Sequence, residues 1–154
     1  MKDKNIKGID YKFIKLPALA QFHVVRRLAP IIGDLLTALG PNVKDLKEGQ
    51  DLSEEQMLKI IAPVMGAISK LSDDDANYVI FSLLKPVTRK ATAGGGWSKI
   101  TTDGNIIMFE DIDLQAMVQL CVESFMVNLG GFINALPSGL KEGAVQVVTP
   151  TPVG

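Results

Sequence analysis

ESFMVNLGGFINAL, at residues 123–136, has a helical pattern with apolar side chains around almost its whole circumference. On a wheel that starts at Leu114, the polar face is narrow, and it holds Gln115, Gln119, Glu123 and Asn134. A helix this apolar is usually buried on more than one side, either inside a bundle or against another chain. The segment therefore predicts either a central core helix or a helix that meets a partner.

Two glycines, Gly130 and Gly131, interrupt the apolar pattern. Each costs a helix about 1 kcal/mol relative to alanine, but glycine permits close backbone approach or a break in the helix. We hypothesise that this last helix, together with the first, presents a groove or stripe to a partner or to a second copy. The residues predicted to make that contact are Phe125, Leu129 and Phe132.

Composition and charge narrow the class of protein. The chain has 154 residues, 47% of them hydrophobic and 21% charged, which predicts one globular domain with a real core. A net charge of −1 gives no general attraction to nucleic acid or to an anionic membrane, and we expect neither as a partner. The single cysteine, Cys121, excludes an internal disulfide. We expect no signal peptide, since MKDKNIKGID at 1–10 has no long apolar core after its lysines. We also expect no membrane span, since the uncharged run Ser124–Leu140 is short and interrupted by proline and glycine.

The first helix is predicted from Pro17 to Leu39, with a stop at Gly40 and Pro41. Pro30 should bend this helix or split it in two, because proline lacks the backbone donor. Its apolar face is predicted to carry Phe22, Val24, Val25, Leu28, Ile32, Leu35, Leu36 and Leu39.

Two further helices have clear start signals. Ser53–Gln56 reads SEEQ, a capping box that opens a helix to Leu71, after a polar loop at 41–52. Ser72 precedes three aspartates, which favour the positive end of a helix dipole, and Pro86 ends that helix. Asp111 or Asp113 is predicted to cap the last helix, at roughly 112–136.

Little β structure is predicted. Residues 11–16 alternate and suggest a short extended arm or edge strand, and 87–110 suggest a hairpin or ordered loop around Asp103–Gly104. We expect a mainly α fold: a small bundle of four to five helices with a short β-hairpin or loop insertion near 87–110. The predicted organisation is a single helical domain at 1–136 and a flexible C-terminal tail at 137–154.

Local motifs do not form a catalytic, cofactor or metal site. His23 lacks a nucleophile in any recognisable motif, and we predict a surface role for it. Asp73–Asp75 lack calcium-loop spacing and fit a helix N-terminus. The sequence GGGWSK at 94–99 fails as a phosphate loop because Trp97 and Ser98 separate the glycines from Lys99, so a mobile loop is the better interpretation. Cys121 is predicted to be a core residue. We expect no enzyme activity, no cofactor and no metal.

Two other features are candidates for partner contacts. Trp97 is predicted to be an exposed aromatic anchor or to fix its own loop. The pair Arg26 and Arg27 lies on the polar face of the first helix.

Three segments in order resemble the tail assembly chaperones of long-tailed bacteriophages. They are YKFIKLPALAQFHVVRRLAPIIG at 11–33, SDDDANYVIFSLLKPVT at 72–88 and FMVNLGGFINAL at 125–136. The Gly-rich segment and the TPTPVG ending do not belong to this pattern.

The resemblance implies a non-enzymatic protein made in the cytoplasm of the infected bacterium. Such proteins bind the long helical tape measure protein, keep it soluble and recruit tail tube subunits. They are absent from the mature virion, and many are made in two lengths by a ribosomal frameshift. The implied partners are thus the tape measure protein and the tail tube protein, with self-association also possible.

Two other functions stay open. A structural tail component that remains in the virion would need more strand than the sequence predicts. A small enzyme with a non-local site could use His23 and Asp73–Asp75.

Overall fold

The computed structural model describes residues 2–43, 53–92 and 94–135. The predicted tail at 137–154 and most of the predicted loop at 41–52 lie outside these residues. The elements, in chain order, are β1 (Lys2–Ile6), β2 (Ile9–Phe13), α1 (Ala18–Leu28), α2 (Ile32–Val43), α3 (Glu54–Ile68), α4 (Asp73–Leu84), β3 (Val87–Lys90), β4 (Trp97–Lys99) and α5 (Leu114–Ala135).

The described strands form one antiparallel sheet in the order β1-β2-β3-β4. Lys7 and Gly8, with φ of 51° and 83°, make the tight turn between β1 and β2. Gly94 and Gly95 also have positive φ, which glycine adopts without strain, in the segment between β3 and β4. The predicted mainly α bundle is therefore wrong: the fold is mixed, with a four-stranded sheet beside the helices.

Charged residues occupy inward-facing positions of the strands, and for this reason the hydrophobic pattern did not predict the four-stranded sheet. Strand side chains alternate between the two faces. Lys2 and Lys4 pair in register with Phe13 and Tyr11, which are buried, so both lysines lie on the buried face. Arg89 of β3 is also buried, 8% exposed. Because a hydrophobic pattern requires apolar residues at these positions, β1 carried almost no strand signal, and β3 was recognised only as part of the predicted hairpin or loop at 87–110.

The first predicted helix is split as its proline suggested. Ala29–Ile31 form a 3₁₀ turn between α1 and α2, with Pro30 at the start. The predicted stop at Gly40 and Pro41 is wrong, since α2 continues to Val43. Leu35 and Leu39 of α2 are buried, and we attribute the extension to this packing, which can outweigh local propensity.

The predicted helix starts are confirmed. The Ser53 hydroxyl accepts from the backbone N–H of Gln56 at 3.1 Å, and the Gln56 side chain accepts from the Ser53 N–H at 2.9 Å. Ser72 caps α4 by accepting from the N–H of Asp75. Of the two aspartates predicted for α5, Asp113 accepts from the N–H of Ala116 at 2.8 Å. Asp111 instead binds Arg89 through both carboxylate oxygens, and this lowers the pKa of Asp111.

Helix α5 packs on both layers of the fold. One hydrophobic cluster joins it to the other four helices, and α5 contributes Val118, Val122, Phe125 and Leu129. A second cluster joins it to the sheet and the end of α4, and α5 contributes Ala116 and Leu120. Cys121 touches both clusters. The apolar circumference of α5 is therefore explained largely by burial inside its own domain.

Several polar side chains of α5 are buried as well. Glu123 is 1% exposed, and its carboxylate accepts from Lys2 Nζ at 2.8 Å and from Lys4 Nζ. Ser124 Oγ donates to the carbonyl of Leu83 at 2.6 Å, at the end of α4. Sequence reasoning had assigned Glu123 to a narrow polar face, whereas it connects α5 to strand β1.

Asn128 completes this polar network. Its Nδ2 donates to the Ser124 carbonyl at 2.8 Å, and its Oδ1 accepts from the Leu16 N–H at 2.6 Å. Leu16 lies between β2 and α1. The asparagine therefore fixes the chain reversal that brings α1 back from the sheet onto the helical layer.

Replacing Glu123 with alanine should destabilise the fold severely. The change removes a buried carboxylate that both half-buried ammonium groups contact, for which we expect a loss of about 3–5 kcal/mol. Glu55→Ala is the matched control, because the Glu55–Lys59 pair is exposed and should be worth at most about 1 kcal/mol. Urea unfolding followed by circular dichroism measures both values. Equal losses in the two variants would contradict the structural role of Glu123.

Candidate functional site

An apolar pocket of about 100 Å³ lies where the five described α-helices meet. Each of these helices contributes to its wall. The lining includes Leu28 of α1, Leu35 of α2, Met65 and Ile68 of α3, Val79 and Leu83 of α4, and Val118, Cys121 and Phe125 of α5. Met65 is 39% exposed, so the pocket approaches solvent on the side of α3. The described lining consists of apolar side chains, among them two methionines, and the Cys121 thiol, which suits an aliphatic group.

Cys121 lies in the wall of this pocket. Although the residue keeps some solvent exposure, burial of its thiol raises the pKa to about 12. The neutral thiol is a weak nucleophile, since the thiolate is the reactive form. The sequence-based interpretation of Cys121 as a core residue agrees with this position.

The structure separates the three residues of α5 that were predicted to contact a partner. Phe125 is 5% exposed and lines the pocket, and Leu129 is 4% exposed in the helical core. Phe132 is 56% exposed. Phe132 is thus accessible to a partner in this structure. Leu129 could contact a partner only if α5 moved away from the helices that cover it.

The glycines of α5 do not break the helix, which continues through them to Ala135. A Cβ atom at Gly130 would meet the Met126 side chain at 3.4 Å, and one at Gly131 would meet nothing within 4 Å. Nothing in the structure explains why glycine occupies these two positions.

The two arginines of α1 have different surroundings. Arg27 donates to Asp75 of α4 at 2.7 Å, and its guanidinium lies 4.1 Å from the centroid of the Tyr78 ring. It therefore joins α1 to α4. Arg26 is exposed.

An exposed apolar pair on α1 was missed by sequence reasoning. Leu19 is 68% exposed and Phe22 is 58% exposed, although Phe22 was predicted to lie on the buried face. Together with Arg26 they lie within one side of the helix, and we call these three residues the α1 stripe. The sequence could have predicted this exposure, because at about 100° per residue the Phe22 side chain points roughly 120° away from the buried Leu28.

The residues weighed for chemistry do not converge on a site. His23 is half-buried, its ring meets Phe22 edge to face, and no side-chain hydrogen bond to its buried Nδ1 exists among the described residues. Asp75 binds Arg27. The described residues contain no group of three or more His, Cys, Asp or Glu placed to hold a metal ion. The Gly-rich segment forms part of the β3–β4 hairpin, where the Ala91 N–H donates to the Gly96 carbonyl at 2.7 Å.

In the part of the chain that the structure describes, every helix is too short or too polar to cross a membrane.

Native Cys121 should react slowly with iodoacetamide at neutral pH. With a pKa of about 12, almost no thiolate is present, and its position in the pocket wall limits access. We expect denaturant to raise the labelling rate at least tenfold, because the unfolded thiol regains a pKa near 8.5. Mass spectrometry over time measures both rates. Fast labelling of the native protein would show that the pocket is open to solvent.

The similarity of this chain to known proteins lies at the level of a protein family. A search of curated proteins gave no match, and a search of solved structures gave none either. A protein-family comparison matched residues 7–141 to the family described as "Phage tail assembly chaperone protein, TAC". This match covers most of the 154 residues and confirms the resemblance inferred from sequence. The chain therefore belongs to the phage tail assembly chaperone family.

Proposed function

We propose that this chaperone binds the tape measure protein, keeps it soluble and recruits tail tube subunits while the tail is assembled. Family membership supports the general role, and the apolar pocket between the five helices carries the finer proposal. In this proposal the pocket accepts an aliphatic side chain from a helix of the tape measure protein. The site of action is the cytoplasm of the infected bacterium, and the chaperone leaves before the virion is complete.

The size and lining of the pocket support this role. Residual cavities destabilise protein cores by about 24 cal/mol per Å³, so a pocket of about 100 Å³ corresponds to roughly 2 kcal/mol. A partner side chain that fills it regains contacts that the surrounding side chains lack on that side. Met65 suits a variable partner because the methionine side chain is flexible and polarizable.

Exposed apolar residues outside the pocket would extend the contact. Phe132 on α5 and the pair Leu19 and Phe22 on α1 present large side chains to solvent. An amphipathic helix binds through apolar residues at intervals of three and four, and such residues require apolar partners on the receptor. In the proposed complex Phe125 contributes through the pocket wall, Phe132 makes direct contact, and Arg26 provides a charge at the rim. The same exposed side chains could support self-association.

Co-expression with the largest helical protein encoded beside this gene tests the proposal. Cys121→Leu adds volume to the pocket without adding a charge, and Cys121→Ser keeps the volume nearly unchanged. We expect the wild type and Cys121→Ser to keep that helical protein soluble and to co-purify with it. Cys121→Leu should fold with equal or greater stability yet bind roughly tenfold more weakly, since tenfold corresponds to about 1.4 kcal/mol.

Two results would count against the proposal in different ways. If the wild type neither solubilises nor co-purifies with the helical protein, the chaperone–tape measure pairing is wrong. If Cys121→Leu binds as well as the wild type while Phe132→Asp does not, the pairing holds but the pocket is not the contact.

A further inference from the structure

The sheet has a second face that points away from α5. Phe13, Val87 and Arg89 are buried on the inner face, so the residues that alternate with them lie on the outer face. The register places Thr88 opposite both Lys12 and Lys99, and it places Lys90 opposite Trp97. We call Lys12, Lys90, Trp97 and Lys99 the outer basic patch.

The patch combines an aromatic ring with three ammonium groups. Lys12 Nζ lies 4.2 Å from the centroid of the Trp97 ring, a cation–π distance that restrains the ring. Trp97 nevertheless remains 38% exposed. Since strands are about 4.8 Å apart, Lys12 and Lys99 lie about 10 Å from each other across β3. Trp97 thus provides an ordered apolar anchor among positive charges.

The lysines of the patch differ from many others in the protein. Lys2, Lys4, Lys7, Lys59 and Lys70 each form an ion pair with a carboxylate. Within residues 2–43, 53–92 and 94–135, the structure shows no such pair for Lys12, Lys90 or Lys99. Asp3 lies opposite Lys12 in the register, and Asp10 lies two positions from Lys12 on the same face, so the uncompensated positive charge is concentrated on the β3 and β4 side, at Lys90 and Lys99.

We propose that the outer basic patch binds an acidic segment of a protein partner. Carboxylates of the segment pair with Lys90 and Lys99, and an apolar side chain packs on the exposed part of Trp97. Strand β4 is the last strand of the sheet and its residues are exposed, so an extended segment can also lie along its backbone.

One observation favours a protein over a nucleic acid. Single-stranded nucleic acids bind on successive aromatic platforms, whereas this face has one tryptophan already in contact with Lys12.

This surface is independent of the pocket. The inner face of the sheet packs on α5, and the pocket lies among the helices. A chaperone with both surfaces could hold a helical client and an acidic partner at the same time.

Trp97 is the single tryptophan of the chain, so its fluorescence reports on the patch directly. The full-length protein is titrated with a short poly-glutamate peptide, with poly-lysine as the control peptide. We expect a saturable change in emission with poly-glutamate alone, weakened by added salt. The variant Lys90→Glu/Lys99→Glu should bind roughly tenfold more weakly. Lys59→Glu/Lys70→Glu has the same net charge and alters exposed lysines outside the sheet, so it should bind like the wild type.

Circular dichroism of both double variants confirms that they remain folded. The proposal is overturned if poly-glutamate gives no saturable change, or if the two double variants weaken binding equally. It is also overturned if poly-uridylate binds more tightly than poly-glutamate, because the patch would then be a nucleic-acid surface.

Discussion

The fold depends on one buried ionic contact, in which Lys2 and Lys4 of β1 reach the carboxylate of Glu123 on α5. A carboxylate that is 1% exposed is costly to bury without paired charges, so α5 can occupy the centre only if β1 lies beside it. Because β1 forms the edge of the sheet, the position of the whole antiparallel layer follows from this contact.

The burial of α5 at the centre of the fold also limits which surfaces remain for contacts with a partner. Most of its apolar surface is used by the two hydrophobic clusters, and its exposed large apolar side chains among the described residues are Leu114 and Phe132, one near each end. Among the described residues, the surfaces that remain for the proposed partner contacts are the gap between the helices, the α1 stripe, the outer face of the sheet and the exposed ends of α5. These are separate surfaces around one helix, an arrangement that fits a tail assembly chaperone.

Local features were predictable because their causes are local. Ser53, Ser72 and Pro30 act on residues within a turn, and the structure confirms all three effects. The sequence predicted an extended segment at 11–16 and a hairpin or loop at 87–110, but not one four-stranded sheet, because Lys2, Lys4 and Arg89 occupy its buried face. Their partners Glu123 and Asp111 are distant in sequence, so no local pattern could mark those positions as buried. The exposed Phe22 could have been found by limiting the helical wheel to the residues before Pro30.

Native-state hydrogen exchange tests the central position of α5 most directly. If α5 supports both layers, the amides of Leu120, Glu123 and Asn128 should exchange only by global unfolding, with the same free energy as buried amides of β2. Their protection should also fall together as denaturant is added. Exchange of these α5 amides by local opening, at lower free energy than those of α3, would contradict the account.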